Sequence, residues 1–349
     1  MTENEQLLYK RPVKWDYGIG IVGAGGIVNG AHLPAYRKAG LNVAAICDIN
    51  DEAAEQTAGR WGVTDHYSDF RALLERDDIQ IIDIAIPNEG RIDIVKQAVA
   101  AGKHILIQKP FAHRYEQAVE MVQAAKKAGV RLAVNQNARF APFYAMVKRI
   151  IDSGELGEIY LLTHEMRINQ DANMGETWFS KIPHFLIIDY EIHHIDLMRY
   201  WSGQTPVKVY ASVTKMAGQN FESEMTALTT MEFASGLRAS LIAVDTQQAD
   251  DNFFRFTVEG SKGSLYGHIG NNYSSPSIEY TTKDHPGERI RPAMEGSWFP
   301  DAFYGTMFEL MNSINEQREA SISGEDNIHT LRLLHGVIES IETQSLVYL

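Results

Sequence analysis

A chain of 349 residues has the length for two domains, each with a core of its own. Its net charge of −13 argues against nucleic acid or an anionic membrane as the main partner, because both attract basic surface. Cys47 is the only cysteine, which excludes an internal disulfide and a thiolate metal cluster; with no apolar signal core in residues 1–14 and no long apolar run, the expectation is a cytoplasmic protein handling a small molecule.

The first third alternates strand and helix signals. Residues 19–22 read as a strand, followed by a glycine turn and a helix through His32 and Tyr36 to Gly40. A second strand, 42–47, ends at Asp48, and a helix over 51–61 has Gly62 past its end. The apolar strand 79–86 stops at Pro87, and the helix 91–101 is closed by Gly102. A short apolar run then ends at Lys109-Pro110, before a helix over 115–128 and a strand over 130–135. Strands separated by helices of this length imply right-handed crossovers and a parallel sheet covered on both faces.

After about Arg139 the pattern changes. A helix over 142–153 leads into a strand over 159–167, and a loop, 169–183, carries Met174, Gly175 and Trp178, with His184 just beyond. Residues 185–201 read as one helix. Val207, Val209, Ala211 and Val213 then alternate with polar residues, and segments 225–233 and 237–244 flank a hairpin turn, Ala234-Ser235-Gly236. Strands over 253–259 and 264–269 follow, and helices over 302–315 and 328–343 close the chain. The expected second domain is α+β, built on a large, mostly antiparallel open sheet. The boundary is placed at 138/139, with residues 1–138 forming an N-terminal arm and the first domain, residues 139–349 the substrate and oligomerisation domain, and the last helix free to pack back on the first.

Gly23-Ala24-Gly25-Gly26-Ile27-Val28 sits where the first strand turns into the first helix. Glycines there permit a tight turn and let a pyrophosphate approach backbone N–H groups, the pattern of a Rossmann dinucleotide-binding domain. The string beginning at Gly18 also fits G-x-G-x-x-G, but no strand precedes it. Asp48, about 25 residues on, has the spacing of an acid that binds the adenine ribose hydroxyls and would repel a 2′-phosphate, so NAD is favoured over NADP. The alternative role for Asp48 is a helix N-cap, for which Asp51 is equally placed.

Lys109 is the most informative residue. An amine delivered to the carboxyl end of a buried strand is rarely there for packing, because a buried ammonium is costly unless paired. The carboxyl ends of such strands are where ligands bind. Asp189, His193 and Asp196 lie at i, i+4 and i+7 if the segment is α-helical, on one face beside the stripe Ile188, Ile192 and Ile195. A carboxylate one turn from an imidazole can orient the ring. With Lys109 this makes a group suited to moving a proton on or off an alcohol oxygen while hydride leaves the same carbon. The alternative is that Asp189 and His193 form a structural hydrogen-bonded pair. A metal site using His193, His194, His184, Glu165 or Glu191 is set aside, because adjacent helical histidines diverge by about 100° and no H-E-x-x-H is present. Trp178, Lys181 and His184 are either walls for a polar substrate or surface residues.

On these features the chain resembles the Gfo/Idh/MocA family of NAD(P)-dependent oxidoreductases. The resemblance rests on Gly23 to Ile27, His32-Leu33-Pro34-Ala35-Tyr36, Ile86-Pro87-Asn88, and Ala101-Gly102-Lys103-His104 with Gln108-Lys109-Pro110. Gly154-Glu155-Leu156-Gly157 and the run from Asp189 through Asp196 to Arg199 complete it. It implies that Lys109, Asp189 and His193 are the catalytic group, with His193 the acid/base and Lys109 polarising the substrate oxygen. It implies a nicotinamide side lined by Ile86, Asn88 and Gln108. The expected cofactor set is thus Gly23, Ala24, Gly25, Gly26, Ile27, Asp48, Ile49, Ile86, Pro87, Asn88, Gln108 and Lys109. The expected substrate set is Lys109, Trp178, His184, Asp189 and His193, with no metal. Family members act on sugars, polyols and related cyclic hydroxy compounds, and associate as dimers or tetramers through the open sheet.

Three positions depart from the family pattern. Gln108 replaces the usual glutamate before Lys-Pro, Arg91 the usual histidine after Pro-Asn, and Glu191 the usual glycine before Ile-His. The reading is an NAD-dependent dehydrogenase that oxidises a secondary hydroxyl of a sugar, cyclitol or glycoside to a ketone. The alternatives are NAD-dependent glycoside cleavage through a transient 3-ketone, and a regulator that senses dinucleotide and sugar without chemistry.

Overall fold

The computed structural model describes residues 10–249 and 251–349; the first nine residues of the expected N-terminal arm lie outside them. The chain divides into two compact units, residues 1–141 with 298–331, and residues 142–297 with 332–349. The expected single cut at 138/139 therefore misses a return of the chain, because residues 298–331 complete the first unit.

In the first unit, β1 (Ile19–Val22), β2 (Val43–Cys47), β3 (Asp65–Tyr67), β4 (Ile81–Ile84), β5 (His104–Gln108) and β6 (Leu132–Asn135) form a sheet in the order β3-β2-β1-β4-β5-β6. Every pairing is parallel. β1 and β4 are buried along their whole length, as a sheet covered on both faces requires. The strand order reverses between β1 and β4, the place in such a sheet where the two carboxyl ends open a crevice. β3 was not expected: Asp-His-Tyr is too short and too polar to give a strand signal.

The helix Asp301–Asn315 explains the return of the chain. Its Phe303, Met307, Phe308, Leu310 and Met311 share one buried cluster with Ile19, Ile21, Val28 and Tyr36. The following segment covers the free edge of β6, where Val134 N–H donates to the Ile322 carbonyl at 2.8 Å.

The second unit is built on β7 (Ile159–Arg167), β8 (Lys208–Thr214), β9 (Thr226–Glu232), β10 (Arg238–Val244), β11 (Phe253–Gly260), β12 (Gly263–Ile269), β13 (Ser277–Thr282), β14 (His285–Ile290) and β15 (Val347–Tyr348). Their order is β14-β13-β12-β11-β7-β10-β9-β8-β15, antiparallel throughout except that β10 runs parallel to β7. One face carries Val209, Met231, Leu241, Met166, Phe256 and Leu265, all buried. The other presents Tyr210, Leu228 and Tyr266 at 41%, 51% and 47% exposure. That alternation is the period-2 pattern of a half-buried sheet.

The helix expected over 185–201 is two pieces. Leu186–Glu191 is a π-helix, in which Ile192 N–H bonds to the Ile187 carbonyl, and Ile192–Ser202 is α-helical. The loop expected over 169–183 contains two short helical turns, Asp171–Met174 and Trp178–Lys181. No helix among the described residues is long and apolar enough to cross a membrane.

Candidate active site

The glycine turn is shaped by the end of β4. Gly23 has φ +115°, and a Cβ there would lie 2.4 Å from the Ala85 carbonyl oxygen, so a side chain is excluded on both counts. Gly25 and Gly26 are the opposite case: they are exposed, and a Cβ on either would meet nothing within 4 Å. Bare backbone facing open space at the carboxyl end of β1 fits a dinucleotide's phosphates. Gly18, in the rejected register, belongs to strand packing, since its Cβ would lie 1.7 Å from the Asp78 carbonyl oxygen.

Asp48 ties β2 to this turn. Its Oδ2 accepts from Ala24 N–H at 2.8 Å, and its Oδ1 from Asn50 N–H at 2.9 Å. Neither Asp48 nor Asp51 caps the helix Asp51–Trp61; the N-cap is Asn50, whose side chain accepts from Ala53 N–H at 3.3 Å. Ile49 stands almost fully exposed beside Asp48, at 95%, and Ile27 is exposed on the glycine turn.

The ends of β4 and β5 are joined by Arg91. Its Nε and Nη2 donate to the Ile86 carbonyl at 2.8 and 2.6 Å, and its Nη1 reaches Asn88 Oδ1 at 2.9 Å and the carbonyls of Gln108 and Pro110 at 2.6 and 2.5 Å. Burial brings the guanidinium pKa down to about 10, which leaves it charged at neutral pH. Gln108 is turned inward: its Oε1 accepts from Lys109 N–H at 3.0 Å and its Nε2 meets His32 Nε2 at 2.8 Å. Pro87 is exposed, while Ile86, Asn88 and Lys109 are half-buried.

In the second unit, Asp189 is half-buried on the π-helix and His193 is buried in the first turn of the α-helix. The π turn rotates Asp189 relative to His193 away from the single α register expected. Asp196 is fully buried, 4.0 Å from Arg199, so the expected polar face does not continue to it as an open surface. His194 stacks on His164 with ring centroids 3.9 Å apart, and burial pushes its pKa down to about 3. Glu191, also fully buried, is directed at β9, where Thr229 Oγ1 donates to its Oε2 at 3.4 Å; burial raises its pKa to about 8. Trp178 is 62% exposed and stacks on Phe179. His184, at φ 52°, meets Glu342 at 3.4 Å, and Lys181 is exposed.

One acidic neighbour escaped sequence reasoning. Asp245, at the end of β10, is fully buried and accepts from Gln170 N–H at 2.6 Å through Oδ1. Burial raises its pKa to about 8, with the charges of Asp171 and Asp189 adding to the effect. Nothing local marks it: an aspartate closing a strand reads as a turn residue.

Residues 17–136 match the oxidoreductase family with an NAD-binding Rossmann fold, and residues 144–266 match the C-terminal domain of the same Gfo/Idh/MocA family. The chain belongs to the Gfo/Idh/MocA oxidoreductases. It is 26% identical over 330 residues to an inositol 2-dehydrogenase of Rhizobium meliloti, covering 92% of this chain and 96% of that protein. It is 27% identical over 282 residues to a levoglucosan dehydrogenase of Pseudarthrobacter phenanthrenivorans, covering 71% and 72%. A solved levoglucosan dehydrogenase in complex with NADH and levoglucosan has a TM-score of 0.81 at 23% identity, over 95% of this chain and 99% of that one. An oxidoreductase from Agrobacterium radiobacter in complex with NAD+, L-tartaric acid and magnesium gives 0.84 at 22%, over 95% and 98%. These structural likenesses are of fold. The Gfo/Idh/MocA chain is thus an oxidoreductase with an NAD-binding Rossmann domain.

Proposed function

We propose that this oxidoreductase is an NAD-dependent dehydrogenase oxidising a secondary hydroxyl of a sugar, cyclitol or glycoside to a ketone. The observation that carries the reading is Lys109, an amine at the carboxyl end of β5 whose backbone is held from several directions, in the same unit as the glycine turn. The names of the relatives, inositol and levoglucosan dehydrogenases, agree with a cyclic hydroxy substrate.

Gly23 to Ile27 and Asp48 would hold the adenosine and pyrophosphate side of NAD, with Ile49 beside them, and Ile86, Pro87, Asn88, Gln108 and Lys109 would lie toward the nicotinamide. Bound there, the nicotinamide supplies the acceptor for the hydride that leaves the carbinol carbon. Lys109 hydrogen-bonds the carbinol oxygen and favours the charge that grows on it as hydride departs. His193 removes the hydroxyl proton, and Asp189 orients the substrate and supports the imidazolium. Trp178 and His184 border the substrate. The acid at Asp48 disfavours a 2′-phosphate, hence NAD over NADP.

The open face of the second sheet, with Tyr210, Leu228 and Tyr266 exposed, supports a dimer or tetramer formed through that sheet. A panel of sugars, cyclitols and glycosides with NAD and with NADP, followed by absorbance of the reduced cofactor, tests the function. NADH formed in proportion to ketone is the expected result. Turnover of a glycoside without net NADH would point to cleavage instead, and reaction only with imines or linear aldehydes would overturn the substrate class.

A further inference from the structure

We propose that Arg91 is a positioning residue that fixes Lys109 for catalysis. The inference rests on the reading that Lys109 acts on the substrate oxygen, and adds to it a residue that holds Lys109 in place. The two carbonyls that Arg91 Nη1 reaches, Gln108 and Pro110 at 2.6 and 2.5 Å, belong to the residues immediately before and after Lys109. The remaining donors, Nε and Nη2, close on the Ile86 carbonyl at 2.8 and 2.6 Å. One planar fork therefore ties the ends of two neighbouring strands together, and it does so across the residue of interest.

A buried cation satisfied by neutral oxygens is an expensive way to brace a loop, since water solvates a guanidinium better than carbonyls do. Arg91 is 5% exposed. Among the described residues its side chain meets no carboxylate oxygen at ion-pair distance; Glu89 acts on it only through its charge. Geometry gives the reason for the choice. Five donors in a fixed plane can address carbonyls pointing in from two loops at once, which a lysine ammonium on a flexible stem cannot do.

The third restraint on Lys109 comes from the other side. Its N–H donates to Gln108 Oε1 at 3.0 Å, and Gln108 is itself held by His32, which is held by Asp83 at 2.7 Å. Lys109 is thus fixed at its own N–H and at the carbonyls flanking it, and its freedom is confined to side-chain torsions. Such placement matters because small displacements of a catalytic group cost large factors in rate.

Two measurements on the full chain test this. The first needs no substrate: hydrogen exchange of the segment 107–112, with and without NAD. Arg91→Met should speed exchange there by about tenfold or more, while exchange in β1 and β2 is unchanged; unchanged exchange in 107–112 overturns the clamp. The second is a double-mutant cycle on kcat, using the polyol with the highest turnover. Arg91→Met alone should lower kcat by about tenfold or more and leave KM for NAD within about threefold. Placed on Lys109→Met, it should cost nothing further. Losses that multiply would show that Arg91 acts apart from Lys109 and overturn the proposal. If Lys109→Met leaves turnover intact, the catalytic reading of Lys109 fails instead, and exchange alone decides whether the clamp exists. Arg91→Lys, which keeps the charge and the stem, enters the same cycle if Arg91→Met does not fold.

Discussion

His32 Nε2 lies 2.8 Å from Gln108 Nε2, and that contact fixes a tautomer. The amide nitrogen can only donate, and its orientation is set because Gln108 Oε1 is occupied by Lys109 N–H. Nε2 of His32 therefore accepts, and its proton sits on Nδ1, which donates to Asp83 Oδ2 at 2.7 Å, where Tyr36 OH also donates at 2.7 Å.

Gln108→Glu, which restores the residue usual in the family, should therefore not be neutral here. A carboxylate oxygen would face the unprotonated ring nitrogen, and one of the two must gain a proton. We expect a loss of about 1–3 kcal/mol in urea unfolding. In the wild type, nitrogen chemical shifts of His32 should report a protonated Nδ1 and a bare Nε2. The reverse assignment would sink the argument.

Lys109→Met and His193→Asn should each lower kcat by about 10²-fold or more, the range for a removed acid/base or polarising group. His193 is not among the residues assigned to the cofactor, so NAD affinity of His193→Asn measured by fluorescence titration should change by about threefold at most. A variant that keeps full turnover removes its residue from the catalytic group.

Asp48→Asn keeps an amide oxygen to accept one of the two backbone N–H groups and removes the negative charge. The ratio of kcat/KM for NAD over NADP should drop, by about tenfold if the carboxylate is the main source of discrimination. Asp48→Ala should relax the same ratio and also destabilise the first unit by about 1 kcal/mol, because Ala24 N–H and Asn50 N–H lose their acceptor. An unchanged ratio in both variants would assign Asp48 to the turn alone.

The buried carboxyls predict a pH dependence of stability. Glu191 and Asp245 have their pKa values raised to about 8, first by burial. The folded protein keeps protons that the unfolded chain has released above about pH 4.5, so their contribution to stability declines as pH rises toward 8. His194 and His104, pushed down to about 3 and about 4 by burial, act in the other direction. The unfolded chain takes up their protons below about pH 6.5, so stability falls as pH drops through that range. Of these four groups only the carboxyls still change the balance above about pH 6.5, and at about pH 8.5 the Cys47 thiol, raised to about 12 by burial, adds to the same decline. Glu191→Gln, amide for acid in the same volume, should thus gain in melting temperature over the wild type as pH goes from 6 to 8.5. A gap that is the same at both pH values would exclude ionisation of Glu191 as its cause.

The glycine turn, Asp48 and Lys109 were legible because each is a local event: a residue type at the point where a strand gives way to a turn. Period-2 alternation likewise announced the strands of the second sheet. The π turn at Leu186–Glu191 was not legible, since π and α helices share an apolar stripe and differ by one hydrogen-bond step. β3, β14 and β15 were missed because polar or very short strands carry no hydrophobic period, whereas β13 was missed although Ile278, Tyr280 and Thr282 alternate inward. Arg91 was noticed only as a departure from the family pattern. Its partners are backbone carbonyls, which leave no mark in a sequence.

The sequence by itself determined that a parallel strand–helix array precedes a second, mostly antiparallel sheet, and that Lys109 stands at a strand end. Strand period, glycine placement and the cost of burying an amine are enough for that. Tertiary structure decided what surrounds those residues. It brought residues 298–331 into the first core, set Asp245 within electrostatic reach of Asp189, and aimed one guanidinium at the carbonyls on both sides of Lys109. These are pairings between segments far apart in the chain, selected by packing and by the need to satisfy buried polar groups, which only the folded arrangement poses.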